Sequence, residues 1–368
     1  MANKQYQAQK KPLQFSKGAI DRAARSIRHG VDGDERVEAI KSIQNFREFH
    51  LYPLMLLKNH LSRTSDKVGK NIIVARRLKQ LPTIIDKLER PALNGQMGNT
   101  TRITSMQDIA GCRAIVRNLK QLDELRKKLE QSRSVHEIVR IDDYLIPKDS
   151  GYGGVHLIYN CFEGSEEQSD WKNAKVEIQL RTDLQHAWAT SLEIIDTLEG
   201  IKLKTTLDGY PEWRKFFCLS GRLVAHDEGA ITLSEQELSD VQFEVNRLRV
   251  ELDIVTKLAN YTVAIRVTNG QKLPKKIKNH QGLFLIQVKK IEGIYKTSIS
   301  PYKSKDSDRA LEALSEADLE RNNEITVLVS AENIRSLRKA YPNYFGSTKK
   351  FLNFLNRHAK EGFRAMNQ

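Results

Sequence analysis

From Val176 to Arg181 the side chains alternate, Val176, Ile178 and Leu180 against Glu177, Gln179 and Arg181. Alternate residues of a β-strand share a face. The segment Ala174–Arg181 therefore predicts a strand with one apolar side and one side carrying a carboxylate, an amide and a guanidinium. Charged groups aligned along a core strand are costly unless they are paired or engage a metal or a phosphate. Upstream, Asp143-Tyr144, Pro147-Lys148, Gly151-Tyr152-Gly153-Gly154 and His156 form a glycine-rich turn that leads into an apolar strand over Gly154–Phe162. A turn carrying Lys, Tyr and His beside such a strand points to a phosphate-handling active site.

Two earlier segments extend the pattern. Arg77, Lys79, Thr83, Lys87 and Arg90 fall in a stretch read as a helix from about Lys70 to Arg90, broken or restarted at Pro82. Cations clustered on neighbouring turns repel one another unless an anion lies among them. Arg grips phosphate with two donors and Lys acts as a point charge. Farther on, Asp108-Ile109-Ala110-Gly111-Cys112-Arg113 opens the apolar run Ala114–Val116.

Together these segments resemble the synthetase domain shared by RelA/SpoT proteins and small alarmone synthetases, including its toxic branch. The family's R-x-K-x-x-x-S-I-x-x-K-x-x-R, D-I-x-G-x-R, D-Y-x-x-P-K-x-x-G-Y-x-x-x-H and E-x-Q-x-R-T-x-x-x-H-x-W-A patterns occur in order between Arg77 and Ala189, with Ala110 inside the second and Thr83 in place of the usual Ser. The resemblance implies an α/β fold with a nucleotidyltransferase-like mixed sheet. It implies transfer of the β,γ-pyrophosphate of ATP to a ribose 3′-hydroxyl, with Mg²⁺ as cofactor. Asp108 and Glu177 are the expected metal ligands and catalytic carboxylates, since Mg²⁺ at a triphosphate is held by one or two carboxylates plus phosphate and water. Glu177 also suits a general base. Arg77, Lys79, Lys87, Arg90 and Arg113 are expected to bind ATP. Lys148, Tyr152, His156, Gln179 and Arg181 are expected on the acceptor side, with Tyr152 as a stacking platform for a base. His186 and Trp188 are expected to anchor the following helix.

Composition bears on the acceptor. Sixty Lys and Arg against 46 Asp and Glu give a net charge of +14, which favours polyanions. Asp142 stands where guanine-acceptor relatives often carry Lys, and Ala189-Thr190-Ser191 replaces an acidic, His-containing continuation. These departures, with the lysine-rich first 20 residues, favour the 3′ end of tRNA over a guanine or adenine nucleotide. No apolar run has membrane-spanning length, no secretion signal opens the chain, and three scattered cysteines form no disulfide or zinc pattern. A cytoplasmic protein without membrane contact is expected. No hydrolase-like His-Asp segment precedes the motifs, so alarmone degradation is not expected.

Three units are expected: residues 1–230 as the synthetase domain with N-terminal helices, a linker helix over 231–260, and a smaller α+β regulatory domain over 261–368. This layout resembles toxin–antitoxin fusions of the CapRel kind. It implies a zinc-less finger-like C-terminal domain that represses the enzyme until a phage protein binds, in a monomeric chain. Tyr341 and Tyr344 match the autoinhibitory Tyr-x-x-Tyr of those proteins. Two other readings are an alarmone synthetase acting on mononucleotides and a catalytically silent RNA-binding regulator.

Overall fold

The computed structural model describes residues 4–89, 101–162, 169–201, 203, 209–259, 280, 282–291, 294–319, 323–331, 338 and 348–365. Among them, eight strands form one mixed sheet: β1 (Ile73–Leu78), β2 (Ala110–Val116), β3 (Glu137–Asp143), β4 (Val155–Asn160), β5 (Lys175–Thr182), β6 (Gly282–Ile291), β7 (Ile294–Tyr302) and β8 (Asn323–Ala331). Their spatial order is β3-β4-β5-β2-β1-β8-β6-β7. Only the β2–β5 pair is parallel among these strands; all other neighbours are antiparallel. The α/β class with a mixed sheet is the observed one.

Helices cover both faces. On one lie α4 (Leu51–Val68), α6 (Leu119–Glu130) and α10 (Ser307–Leu319), packed on Val74, Cys112, Leu157, Ile178 and Leu285. On the other lie α7 (Asp183–Glu199), α8 (Pro211–Asp227), α9 (Glu235–Glu251) and α11 (Lys349–Ala365), packed around Ile115, Trp188, Phe217, Phe284 and Phe351. A third cluster joins α2 (Lys17–Arg28), α3 (Gly33–Phe49) and α5 (Leu81–Glu89) through Ile20, Ile43, Ile84 and Leu88. The remaining helix, α1 (Lys4–Gln9), precedes them.

The helix expected over Lys70–Arg90 is a strand followed by a helix. β-Branched Ile72, Ile73 and Val74 favour extended backbone, and the strand alternates, Val74 and Leu78 entering one core while Ala75 enters the other. Pro82 sits in the first turn of α5, where a missing N–H costs nothing. The chain over 33–68 likewise forms two helices, α3 and α4, separated at His50, with Pro53 in the first turn of α4. The linker expected as one helix over 231–260 turns at Asp253, whose φ is 51°, between α9 and a helical stretch over 254–259.

The C-terminal strands extend the sheet of the first part of the chain. β8 pairs with β1 at Arg76↔Ser330 and Arg77↔Val329, so β1 presents no open edge there. α10 is also latched to the N-terminal helices. Ser307 donates to the Ala8 carbonyl at 2.6 Å, Lys11 pairs with Asp308, and Gln44 donates to Ser315 at 3.0 Å. Arg47 meets Asp318 at 3.0 Å with side chains 1% and 2% exposed.

At the C-terminal end of α8, Glu228 buries Oε2 without a hydrogen-bond partner. Burial pushes its carboxyl up from an ordinary 4.5 to about 7, against the opposing pull of Thr182 and Lys350. The folded chain therefore keeps a proton that the unfolded chain has released. That stability is complete below the unfolded value and is lost as pH rises through the folded one. Glu228→Gln is expected to leave the melting temperature unchanged near pH 4 and to raise it near pH 8. An equal shift at both pH values would contradict this.

Candidate active site

Strand register builds the site. On one face of the sheet Arg77 lies opposite Gly111, and Gly111 opposite Glu177. One step along, Arg113 lies opposite Gln179, and Gln179 opposite His156. Gly111 adds no side chain between Arg77 and Glu177, and a cleft opens there, lined by Arg77, Lys79, Asp108, Arg113, Glu177 and Gln179 among others. Val176, Ile178 and Leu180 pack on the opposite face, as the alternation predicts.

Asp108 precedes β2, Lys79 follows β1, and Lys87 lies on α5. Lys79 Nζ meets Asp108 Oδ2 at 2.7 Å and Lys87 Nζ meets Oδ1 at 3.0 Å. Burial alone would raise the carboxyl's pKa. The two ammonium groups outweigh it and hold Asp108 well below the usual carboxylate range. The cation cluster thus spans a strand, the residue after it, and the next helix, rather than one helix face. Thr83, on α5, bonds Gln80 at 3.3 Å. Arg90 lies outside the described residues, as do Tyr341 and Tyr344.

Glu177 is 9% exposed. Burial again pushes its pKa up, but hydrogen bonds from His156 and Gln179 prevail and hold it below the ordinary value. His156 Nδ1 lies 2.8 Å from Oε1, and Gln179 Nε2 donates to Oε2 at 2.6 Å. Arg181 donates to Gln179 Oε1 at 3.1 Å and to the Tyr152 hydroxyl at 3.0 Å. That hydroxyl lies 2.5 Å from His156 Nε2. Four of the expected acceptor residues are therefore one network with Glu177. The fifth, Lys148, sits instead over the Tyr144 ring, 3.7 Å from its centroid.

Tyr144 had no assigned role, although it stands in a quoted motif. Its ring packs edge-on against Tyr152 and His156 at 6.0 and 5.5 Å between centroids. Gly151 brings backbone close to another element, but that element is α8. At φ 84° it abuts the Phe217 carbonyl, and a Cβ on either Gly151 or Gly221 would overlap the other segment's backbone. Gly221 had no signal in the sequence. Trp188, 2% exposed, donates to the Phe217 carbonyl and Ser220 at 3.1 and 3.0 Å and so ties α7 to α8. Ala189, Thr190 and Ser191 are buried in α7, so the departure there is a change of packing residues.

The two carboxylates fit a hard divalent cation. Among the described residues no group of three or more His, Cys, Asp or Glu could hold a metal by itself. Two carboxylates completed by phosphate and water is the habit of Mg²⁺.

Residues 76–194 match the family described as "Region found in RelA / SpoT proteins". No curated protein matches the sequence. Among solved structures, small alarmone synthetase 2 from Bacillus subtilis is 23% identical with a TM-score of 0.40, over 50% of this chain and 94% of that one. Small alarmone synthetase 1 of that organism, bound to its product pppGpp, is 22% identical with a TM-score of 0.38, over 52% and 92%. A GTP pyrophosphokinase family protein from Streptococcus pneumoniae is 23% identical with a TM-score of 0.35, over 48% and 85%. Likenesses at these scores decide neither fold nor substrate. The matched region spans all four motifs and every described cation and carboxylate of the cleft, so the chain carries a RelA/SpoT region and is an ATP-dependent pyrophosphotransferase.

Proposed function

We propose that this chain transfers the pyrophosphoryl group of ATP to the ribose 3′-hydroxyl at the CCA end of tRNA, and so blocks translation. The observation that carries the reading is a single cleft lined by Asp108 and Glu177 together with Arg77, Lys79 and Arg113. The cations suit the triphosphate, joined by Lys87 through Asp108. Mg²⁺, when bound, would draw on Asp108 and Glu177 and neutralise charge on the phosphates. Glu177 takes the proton of the 3′-hydroxyl. The freed oxygen attacks the β-phosphorus, the bond from that phosphorus to the α,β-bridging oxygen breaks, and AMP leaves with the electron pair. A net charge of +14 and an acidic Asp142, paired with Arg140 at 2.8 Å, support an RNA acceptor over a guanine nucleotide.

We further propose that the C-terminal region restrains the enzyme and that a phage protein relieves it. β8 is hydrogen-bonded to β1 at Arg76 and Arg77, so a shift of the C-terminal strands reaches a cleft residue directly. The reading takes the chain to act as a monomer. The test offers γ-labelled ATP to the full chain with tRNA, tRNA lacking its terminal adenosine, GDP and AMP. Label is expected on intact tRNA alone, and more of it with Tyr341→Ala plus Tyr344→Ala. Label confined to a mononucleotide would replace tRNA with an alarmone product, and an unchanged double variant would remove those tyrosines from the restraint.

A further inference from the structure

We propose that Arg181 and Tyr152 are positioning residues, which hold the Glu177 carboxylate through two hydrogen-bonded arms, one to each oxygen. The proposal rests on Glu177 acting as the base in the transfer reaction. One arm runs from Arg181 through Gln179 to Oε2. The other runs from Arg181 through the Tyr152 hydroxyl and the His156 imidazole to Oε1. Together they close a ring of five side chains.

The direction of every bond follows from the two ends. A guanidinium only donates, and an ionised carboxylate only accepts. The Tyr152 oxygen therefore accepts from Arg181, and His156 Nδ1 carries a hydrogen and gives it to Glu177. In the neutral imidazole Nε2 is then bare and accepts the Tyr152 O–H. Glu177 thus sets the tautomer, and Tyr152, itself held by Arg181, supports it at the far nitrogen. In the shorter arm the Gln179 carbonyl faces Arg181 and its amide faces Glu177, which fixes the amide orientation by the same logic.

Sheet register makes this possible. Gln179 stands opposite His156 on β4, and Glu177, Gln179 and Arg181 alternate along one face of β5. A free glutamate swings about several bonds, and one donor would still let its plane rotate. Donors from two strands, one on each oxygen, fix the plane and aim the remaining lone pairs into the cleft. Tyr152 also meets Arg181 through its ring, with the guanidinium over one face, 4.9 Å from the centroid.

The test uses the purified full chain, with kcat and KM for ATP and tRNA, and ¹⁵N spectra of labelled histidine. Tyr152→Phe keeps the aromatic ring and removes one link. It is expected to lower kcat about tenfold at unchanged tRNA KM, and to move the His156 resonances from the Nδ1–H form towards mixed tautomers. Arg181→Lys, which puts one nitrogen in place of the Nε and Nη2 that feed the two arms, is expected to lower kcat about 100-fold. An unchanged kcat in Tyr152→Phe, a rise in tRNA KM alone, or an unchanged imidazole spectrum would overturn the proposal. The spectra need no turnover, so they decide the ring even if the wild-type chain transferred nothing, a result that would instead overturn the reading of the reaction.

Discussion

Glu177→Gln is expected to lower turnover by about 10²- to 10⁴-fold, the range a positioned general base contributes, while ATP still binds. The substitution keeps the volume and removes the basic oxygen. It also replaces one of the two oxygens that accept from His156 and Gln179, at 2.8 and 2.6 Å, with an amide N–H that faces a donor. Facing donors cost about 1–3 kcal/mol, so a modest fall in stability should accompany the loss of activity. The core should persist, because Val176, Ile178 and Leu180 pack on the other face. Asp108→Ala is expected to abolish transfer as well, since it leaves Lys79 and Lys87 without the carboxylate between them. Turnover that survived in both variants would remove the two carboxylates from the chemistry.

Asp318→Ala is expected to cost about 3–5 kcal/mol in a denaturant melt, the penalty for stranding a buried charge. Its partner Arg47 is fully buried, and Nε and Nη2 of the guanidinium have no hydrogen-bond partner even with the pair intact. Arg47 also donates to Gln44 at 2.9 Å, which cannot neutralise it. The loss should spread, because α10 packs on β6 and β8 and β8 holds β1. Replacing both partners with apolar residues, Arg47→Met with Asp318→Leu, removes the buried charge altogether and is expected to recover most of the stability. A double variant as unstable as Asp318→Ala would place the cost in packing rather than in charge.

What the sequence revealed followed the reach of its local patterns. Alternation along β5 disclosed the strand, its two faces and the polar trio at the site. The four motifs picked out Asp108, Glu177, Lys79, Lys87 and Arg77 as one constellation, and the structure brings these five to one cleft or its rim. The state of Arg77 was misread because Lys, Arg and Leu also suit a helix, and β-branched neighbours decide only once a sheet is present to receive them. The ring around Glu177 could not be foreseen, because it depends on which residue of β4 stands opposite Gln179. The same holds for the Gly151–Gly221 contact and for the Arg47–Asp318 pair, whose partners lie 271 residues apart. Sequence spacing carries no record of such meetings. Tyr152 shows the reverse case: the residue was found, but its hydroxyl contacts with Arg181 and His156 were not.

The most direct test follows ATP labelled at the α-phosphate, with tRNA present, in the wild-type chain and in Glu177→Gln. Transfer of a pyrophosphoryl group predicts labelled AMP, released one for one with modified tRNA by the wild type and nearly absent in the variant. Labelled ADP in place of AMP, or equal AMP release from both proteins, would contradict pyrophosphoryl transfer at this cleft.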